Sequence, residues 1–172
     1  MLRIYLASPY GFAESTKGFL RELKTSLENA GHQVNDPWKL GEELLVNFDE
    51  LGDSSSEEKK FRMLKEINHK IGMTNHKAID NSEVVVAALN GPDVDSGTAS
   101  EIGYAFARNM TIFGYRGDLR CTGENRAAVV NLQVQYWIEE SGGHIVNNID
   151  SLLSSLNHLP ARKPKTKMGK TP

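Results

Sequence analysis

The sequence predicts an α/β fold: a three-layer sandwich in which helices cover both faces of a parallel sheet. Two observations carry this expectation. Short, apolar, β-rich segments alternate with stretches of helical periodicity along the chain. The clearest strand, "EVVVAALN" (residues 83–90), is an unbroken apolar run, the pattern of a parallel strand covered on both sides. Strand–helix–strand units of this kind imply right-handed crossovers.

Each element has its own justification. "LRIYLAS" (2–8) is short and apolar and is closed by Pro9 and Gly11, so it reads as a buried first strand. A helix follows, with Phe19, Leu20, Leu23 and Leu27 on one face and Gly31 just beyond it, where a C-terminal cap belongs. "HQVNDPW" is a weaker second strand, and residues 40–56 read as a loop or a short helix. Ser55 and Glu58 in "GDSSSEE" have capping-box spacing and open the next helix. That helix carries Phe61, Leu64, Ile67 and Ile71 on one side, and a bend is expected at Gly72 before it resumes to about Ile79. After the strand at 83–90 come a helix over about 98–109, a strand "MTIFGY", a helix over about 126–140, a short strand "HIV" and a last helix near 149–157. The sheet is therefore five-stranded. No internal repeat is visible.

A chain of 172 residues with 39% apolar and 24% charged residues fits one ordinary globular domain. We place it over residues 1–160, followed by a basic and disordered tail at 161–172. That tail, "ARKPKTKMGKTP", holds five basic residues and no acids, leaving 15 basic against 22 acidic residues in the rest, a net charge of −7. An acidic body argues against a nucleic-acid-binding surface. One cysteine, Cys121, excludes an intrachain disulfide framework and a cysteine-cluster zinc site. The longest apolar run, 84–89, is far too short to span a membrane, and Ser8-Pro9 interrupts any signal-peptide core, so a cytoplasmic location is expected. His69 and His76 lie seven residues apart, a poor spacing for one metal ion, and read as surface or core histidines. Trp38 serves packing or stacks on a planar ligand. "SPYGF" has too few glycines for a phosphate-cradling loop.

In open α/β sheets, ligands bind outside the carboxyl ends of the strands. Three loops should meet there: "SPYGF", "NGPDVDSGTASE" and "YRGDLR". They bring Phe12, Asp93, Gly97, Arg116 and Asp118 to one edge as candidate substrate contacts. The middle loop crowds three carboxylates, Asp93, Asp95 and Glu101. On a structural reading, Thr98-Ala99-Ser100-Glu101 is a capping box, and the aspartates favour a turn. On a chemical reading, Glu101 lies in the first helical turn, where the helix dipole and free N–H groups favour its charged form. A fixed, charged carboxylate is a nucleophile toward an anomeric carbon, and a second carboxyl nearby retains or passes a proton. Retaining glycosyl chemistry uses two acids in this way. Gly97 and Gly103 would let a ligand or a neighbouring element approach closely.

Four segments, "RIYLASPYGF", "NGPDVDSGTASEIGYAFA", "GYRGDLR" and "VVNLQVQYWIEESGG", fall in order between residues 3 and 153. Together they resemble the nucleoside 2-deoxyribosyltransferase family. The resemblance implies a flavodoxin-like fold, homo-oligomers with sites shared between subunits, and no metal or cofactor. It also implies exchange of the base between a 2′-deoxyribonucleoside donor and a free nucleobase acceptor, through a covalent deoxyribosyl-enzyme. By that resemblance Glu101 is the nucleophile and Asp95 handles the base and its proton. Tyr5 steadies the nucleophile, and Asn131, supplied by a neighbouring subunit, holds the sugar 5′-hydroxyl. Two departures stand out. Asn75 occupies a position where many members carry Asp, so a proton role there is in doubt. The chain also ends in a basic tail where some members place an aromatic carboxylate in the site.

Two alternatives remain open at this point. One is a nucleoside 5′-monophosphate N-glycoside hydrolase on the same fold, with water as acceptor. The other is a nucleoside-binding sensor without turnover. "SPYGF" offers no Lys or Arg, and the acids of the middle loop would repel a phosphate, so unphosphorylated nucleosides are expected as substrates. Arg116 and Arg120 are the counter-evidence. The loops lean toward purine bases.

Overall fold

The computed structural model describes residues 1–49 and 56–159. The elements follow the order β1 (Arg3–Ala7), α1 (Glu14–Asn29), β2 (Gln33–Asn35), α2 (Pro37–Asp49), α3 (Glu57–Asp80), β3 (Val84–Ala88), α4 (Ser96–Ala107), β4 (Thr111–Tyr115), α5 (Leu132–Glu140), β5 (Ile145–Val146) and α6 (Ile149–Asn157). The five strands form one sheet in the order β2-β1-β3-β4-β5, and every pairing is parallel. The chain leaves β1 toward β2 and returns to the other side of β1 with β3. That reversal opens a crevice at the carboxyl ends of β1 and β3.

The alternation of side chains along a strand decides which face each residue serves. Ile4, Leu6, Val84, Val86 and Phe113 pack with Leu20, Leu23 and Leu27 of α1 and Leu152 and Leu156 of α6. Tyr5, Ala7, Val85, Ala87 and Ile112 face the other way, against Ile79 of α3, Ile102 of α4, and Val134 and Ile138 of α5. The central strand β3 is buried at all five positions, as its apolar run requires. Tyr5 thus lies on the α4 face, one residue from neighbours that point to α1.

The structure corrects several boundaries. Where a loop or short helix is expected from residue 40, α2 begins at Pro37: proline suits a first helical position, and Asp36 caps it by accepting from Trp38 N at 3.0 Å. Helix α3 runs unbroken through Gly72, whose missing side chain faces open space and forces no bend. Its cap is Ser56, accepting from Lys59 N, while Ser55 lies outside the described residues, as does the tail at 161–172. Helix α5 starts at Leu132 rather than near 126, because Asn131 caps it and residues 117–131 are irregular, with a turn at 126–127. Helix α4 starts at Ser96, two residues before the expected point, with Asp95 as its cap. No helix among the described residues is long and apolar enough to cross a membrane.

Candidate functional site

A cavity of about 840 Å³ opens at the crevice, walled by the β1–α1 loop and parts of α1, α2, α3 and α4. This is a size typical of small-molecule sites. Glu101 reaches it from α4, and the strand places Tyr5 beneath. The Tyr5 hydroxyl donates to Glu101 Oε1 at 2.5 Å. Glu101 Oε2 makes no hydrogen bond among the described residues and is left to the cavity. Burial pushes the Glu101 carboxyl up to about 7; the Tyr5 hydrogen bond opposes this, and the nearby Asp95 charge adds to it. Burial, then the Glu101 charge and hydrogen bond, push the Tyr5 phenol up in turn, so it remains a donor.

This geometry overturns the expected electrostatics of Glu101. Because α4 begins at Ser96, Glu101 is its sixth residue and lies beyond the first turn. Dipole stabilisation of the charged form has faded there, and loss of water dominates. The capping-box reading fails for the same reason. Asp95 Oδ2, and not Glu101, accepts from Thr98 N at 2.9 Å and from Thr98 Oγ1 at 3.2 Å. Asp95 also lines the cavity, and its Oδ1 is without a partner among the described residues.

Of the residues singled out from sequence, Phe12, Asn75, Asp95, Gly97 and Glu101 line the one cavity, with Tyr5 behind Glu101. Phe12 is 77% exposed and meets Trp38 edge to face, with ring centroids 4.4 Å apart. Trp38 is a wall of the site. It donates Nε1–H to Ser8 O at 2.7 Å and lies so close over Gly11 that a Cβ there would fall 2.1 Å from the indole. Asn75 Oδ1 is buried with no hydrogen-bond partner among the described residues. Gly97 sits against Asp95, whereas Gly103 admits Trp137 of α5, a packing role.

Four candidates fall outside the cavity wall. Asp93 accepts from its own neighbour, Val94 N, as a turn residue. Arg116 is 3% exposed and donates to the carbonyls of Leu89, Gly91 and Arg120, so it is not a substrate contact in this chain. Asp118 is held by Arg120, which keeps its carboxyl below the usual range and in turn occupies Arg120. Asn131 caps α5, accepting from Gln133 N and Val134 N, and donates to Glu124 Oε1 at 2.8 Å. His76 belongs to a surface group with Asp80, Tyr104 and Arg108, and His69 is exposed. No group of three or more His, Cys, Asp or Glu among the described residues is arranged to hold a metal ion.

Sequence reading missed the cations of the wall. Lys17, Arg21 and Lys24 of α1 and Lys39 of α2 all line the cavity. Lys17 is paired with Glu14 and Lys24 with Asp36. Their signal in the sequence is a spacing of four and three residues along one helical face.

The sequence profile described as nucleoside 2-deoxyribosyltransferase matches residues 4–133, which span β1 to the start of α5. The chain belongs to this family. Similar solved structures show the same fold. A conserved protein from Enterococcus faecalis V583 is 21% identical with a TM-score of 0.63, over 91% of this chain and 98% of that one. A 2-deoxyribosyltransferase from Bacillus psychrosaccharolyticus is 19% identical with a TM-score of 0.60, over 88% and 90%. A CMP N-glycosidase from Clostridium botulinum is 19% identical with a TM-score of 0.53, over 90% and 98%. No curated protein matches the sequence. Within the deoxyribosyltransferase family, the five-stranded parallel sheet of this chain is the shared scaffold, and the cavity lies at its switch point.

Proposed function

We propose that the chain exchanges the base of 2′-deoxyribonucleosides through a covalent deoxyribosyl-glutamyl intermediate. The observation that supports this reading best is the hydrogen-bonded pair of buried Tyr5 and half-buried Glu101, opening on the cavity. Glu101 Oε2 attacks C1′ as the C1′–N bond breaks, and the base leaves with that electron pair and takes up a proton. Tyr5 holds Oε1 throughout, which fixes the attacking oxygen and supports its charge. Asp95 Oδ2 remains the helix cap, while Oδ1 faces the base and carries its proton. A second base then attacks C1′, and Glu101 leaves as a carboxylate. Phe12 and Trp38 offer an aromatic flank for the base, and a purine fits it. Asn131, engaged within its own subunit, serves the 5′-hydroxyl of a neighbouring subunit's substrate through its remaining N–H.

A second reading is favoured by Lys17, Arg21 and Lys24 on the wall: a nucleotide enters, and water takes the place of the second base. The experiment compares deoxyadenosine with its 5′-monophosphate, each with and without free hypoxanthine. Deoxyinosine formed from the nucleoside supports the transferase. Faster cleavage of the monophosphate to deoxyribose 5-phosphate, with no exchanged product, overturns it in favour of the hydrolase. Binding of deoxyadenosine without any product leaves the sensor.

A further inference from the structure

Arg116 is a buried cation that forms no salt bridge with a carboxylate among the described residues. Its Nη1 donates to Leu89 O, and its Nη2 lies 3.2 Å from Gly91 O, 2.6 Å from Arg120 O and 3.4 Å from Thr122 Oγ1. Asp118, whose carboxyl feels the Arg116 charge, is paired with Arg120. Beside these bonds runs a second tie, from Asp118 N to Asn90 Oδ1 at 3.1 Å. Both ties end on one segment, the start of the β3–α4 loop. Gly91 sits in that loop at φ +122°, a conformation reserved for glycine. A few residues on, Val94 is buried and Asp95 caps α4, which carries Glu101. Burying a charge without a carboxylate partner is costly. What a guanidinium adds is direction: a rigid fork that fixes several carbonyls at once.

We propose that Arg116 is a positioning residue: its guanidinium sets the β3–α4 loop and thereby the placement of Asp95 and Glu101 in the cavity. The assignment of those two acids rests on the function proposed above, but the positioning itself can be tested without turnover. Without the fork, the carbonyls of Leu89 and Gly91 lose their donors and draw in water, and the start of α4 loosens. Glu101 then regains solvent. The groups facing Glu101, namely Tyr5 from β1 and Asp95 at the head of α4, with Asp36 beyond Tyr5, keep their identity in every variant.

The test follows the Glu101 carboxyl by carbon NMR titration in the full chain, assigned by its loss in Glu101→Gln. Wild type is compared with Arg116→Lys, which keeps the charge and loses the fork, and with Arg116→Met, which keeps the packing. The expected result is a midpoint that falls from about 7 toward 4.5 in both variants. Exchange kcat should fall roughly ten- to hundredfold, with KM far less affected. Folded variants with lower melting temperatures but wild-type midpoints and kcat would make Arg116 a brace only, and overturn the proposal. If neither variant folds, Asn90→Ala cuts the parallel tie; a downward shift there supports the proposal and an unchanged midpoint overturns it. A wild-type protein without exchange activity refutes the proposed reaction, yet leaves the midpoint comparison decisive for Arg116.

Discussion

Replacing Glu101 with glutamine separates the cost of burying its charge from its chemistry. The carboxyl is raised from 4.5 to about 7, with burial as the main cause. An acid raised in this way binds its proton more tightly in the fold than in the unfolded chain. Its stabilising contribution is therefore full below pH 4.5 and is lost as pH climbs through about 7. The interval from 4.5 to about 7, at about 1.36 kcal/mol for each pH unit, corresponds to roughly 3 kcal/mol. Glutamine carries no charge at any pH and still offers Oε1 to the Tyr5 hydroxyl. Glu101→Gln should thus match wild type near pH 4.5 and grow more stable than it as pH rises. By pH 8 the advantage should reach roughly 3 kcal/mol, or about 6–12 °C in melting temperature. The assay is thermal unfolding by circular dichroism, run on both proteins from pH 4.5 to 8.5. A difference that stays constant across that range would mean Glu101 titrates like a surface carboxylate, and the burial argument would collapse.

Other perturbations test the remaining assignments. Incubation with deoxyadenosine and no acceptor should add one deoxyribosyl mass to intact wild type and none to Glu101→Ala; an adduct on the variant would remove Glu101 as nucleophile. Tyr5→Phe deletes the one hydrogen bond that lowers the Glu101 carboxyl, so the acid limb of the pH–rate profile should move upward from about 7; an unmoved limb would sever the pair. Asp95→Asn keeps a good cap and should slow exchange with little loss of stability, whereas Asp95→Ala should also cost about 1 kcal/mol; equal rates for Asn and wild type would confine Asp95 to capping. Asn131→Ser keeps the α5 cap and loses the amide donor, so mixing it with Glu101→Ala should restore activity if subunits exchange and share sites; no recovery despite demonstrated exchange would end the shared-site proposal.

The fold was legible because its cues are local and redundant. The apolar run of β3 and the helical face of Leu20, Leu23 and Leu27 each fix an element without help from elsewhere. Boundaries were less legible where two side chains compete for one role. Ser55 and Ser56 both precede Glu57, and only packing chooses the cap of α3. Asp95 and Thr98 are both good caps, and the choice of Asp95 moves the start of α4 and places Glu101 three residues, most of a turn, deeper in the helix. The candidate site was legible to the extent that its residues sit on a strand or in the loops that follow strands, as Tyr5, Phe12 and Asp95 do. Arg116 was misread because a loop arginine at the sheet edge looks solvent-facing until the carbonyls around it are seen. The α1 cations were missed because nothing in a helix sequence shows which exposed face borders a cavity.

The crowding of acids in "PDVDSGTASE" resolves into separate tasks. Asp93 stabilises a turn through Val94 N, and Asp95 satisfies the free N–H groups at the head of α4. With the cap supplied by Asp95, Glu101 has no backbone partner to return to and is free to face Tyr5. The position then works against stability, since a carboxyl held near 7 is partly ionised in a half-buried site at neutral pH. A residue retained only for folding would be better as glutamine there. The negative charge of Asp95 raises the Glu101 carboxyl further, which a structural design would avoid and a site that divides attack from proton handling requires. The Tyr5 hydroxyl supplies the opposing effect, holding one oxygen of Glu101 by a short bond while the other stays open to the cavity. One acid that caps the helix and one that burial raises form the arrangement from which a proton carrier and a nucleophile can be drawn.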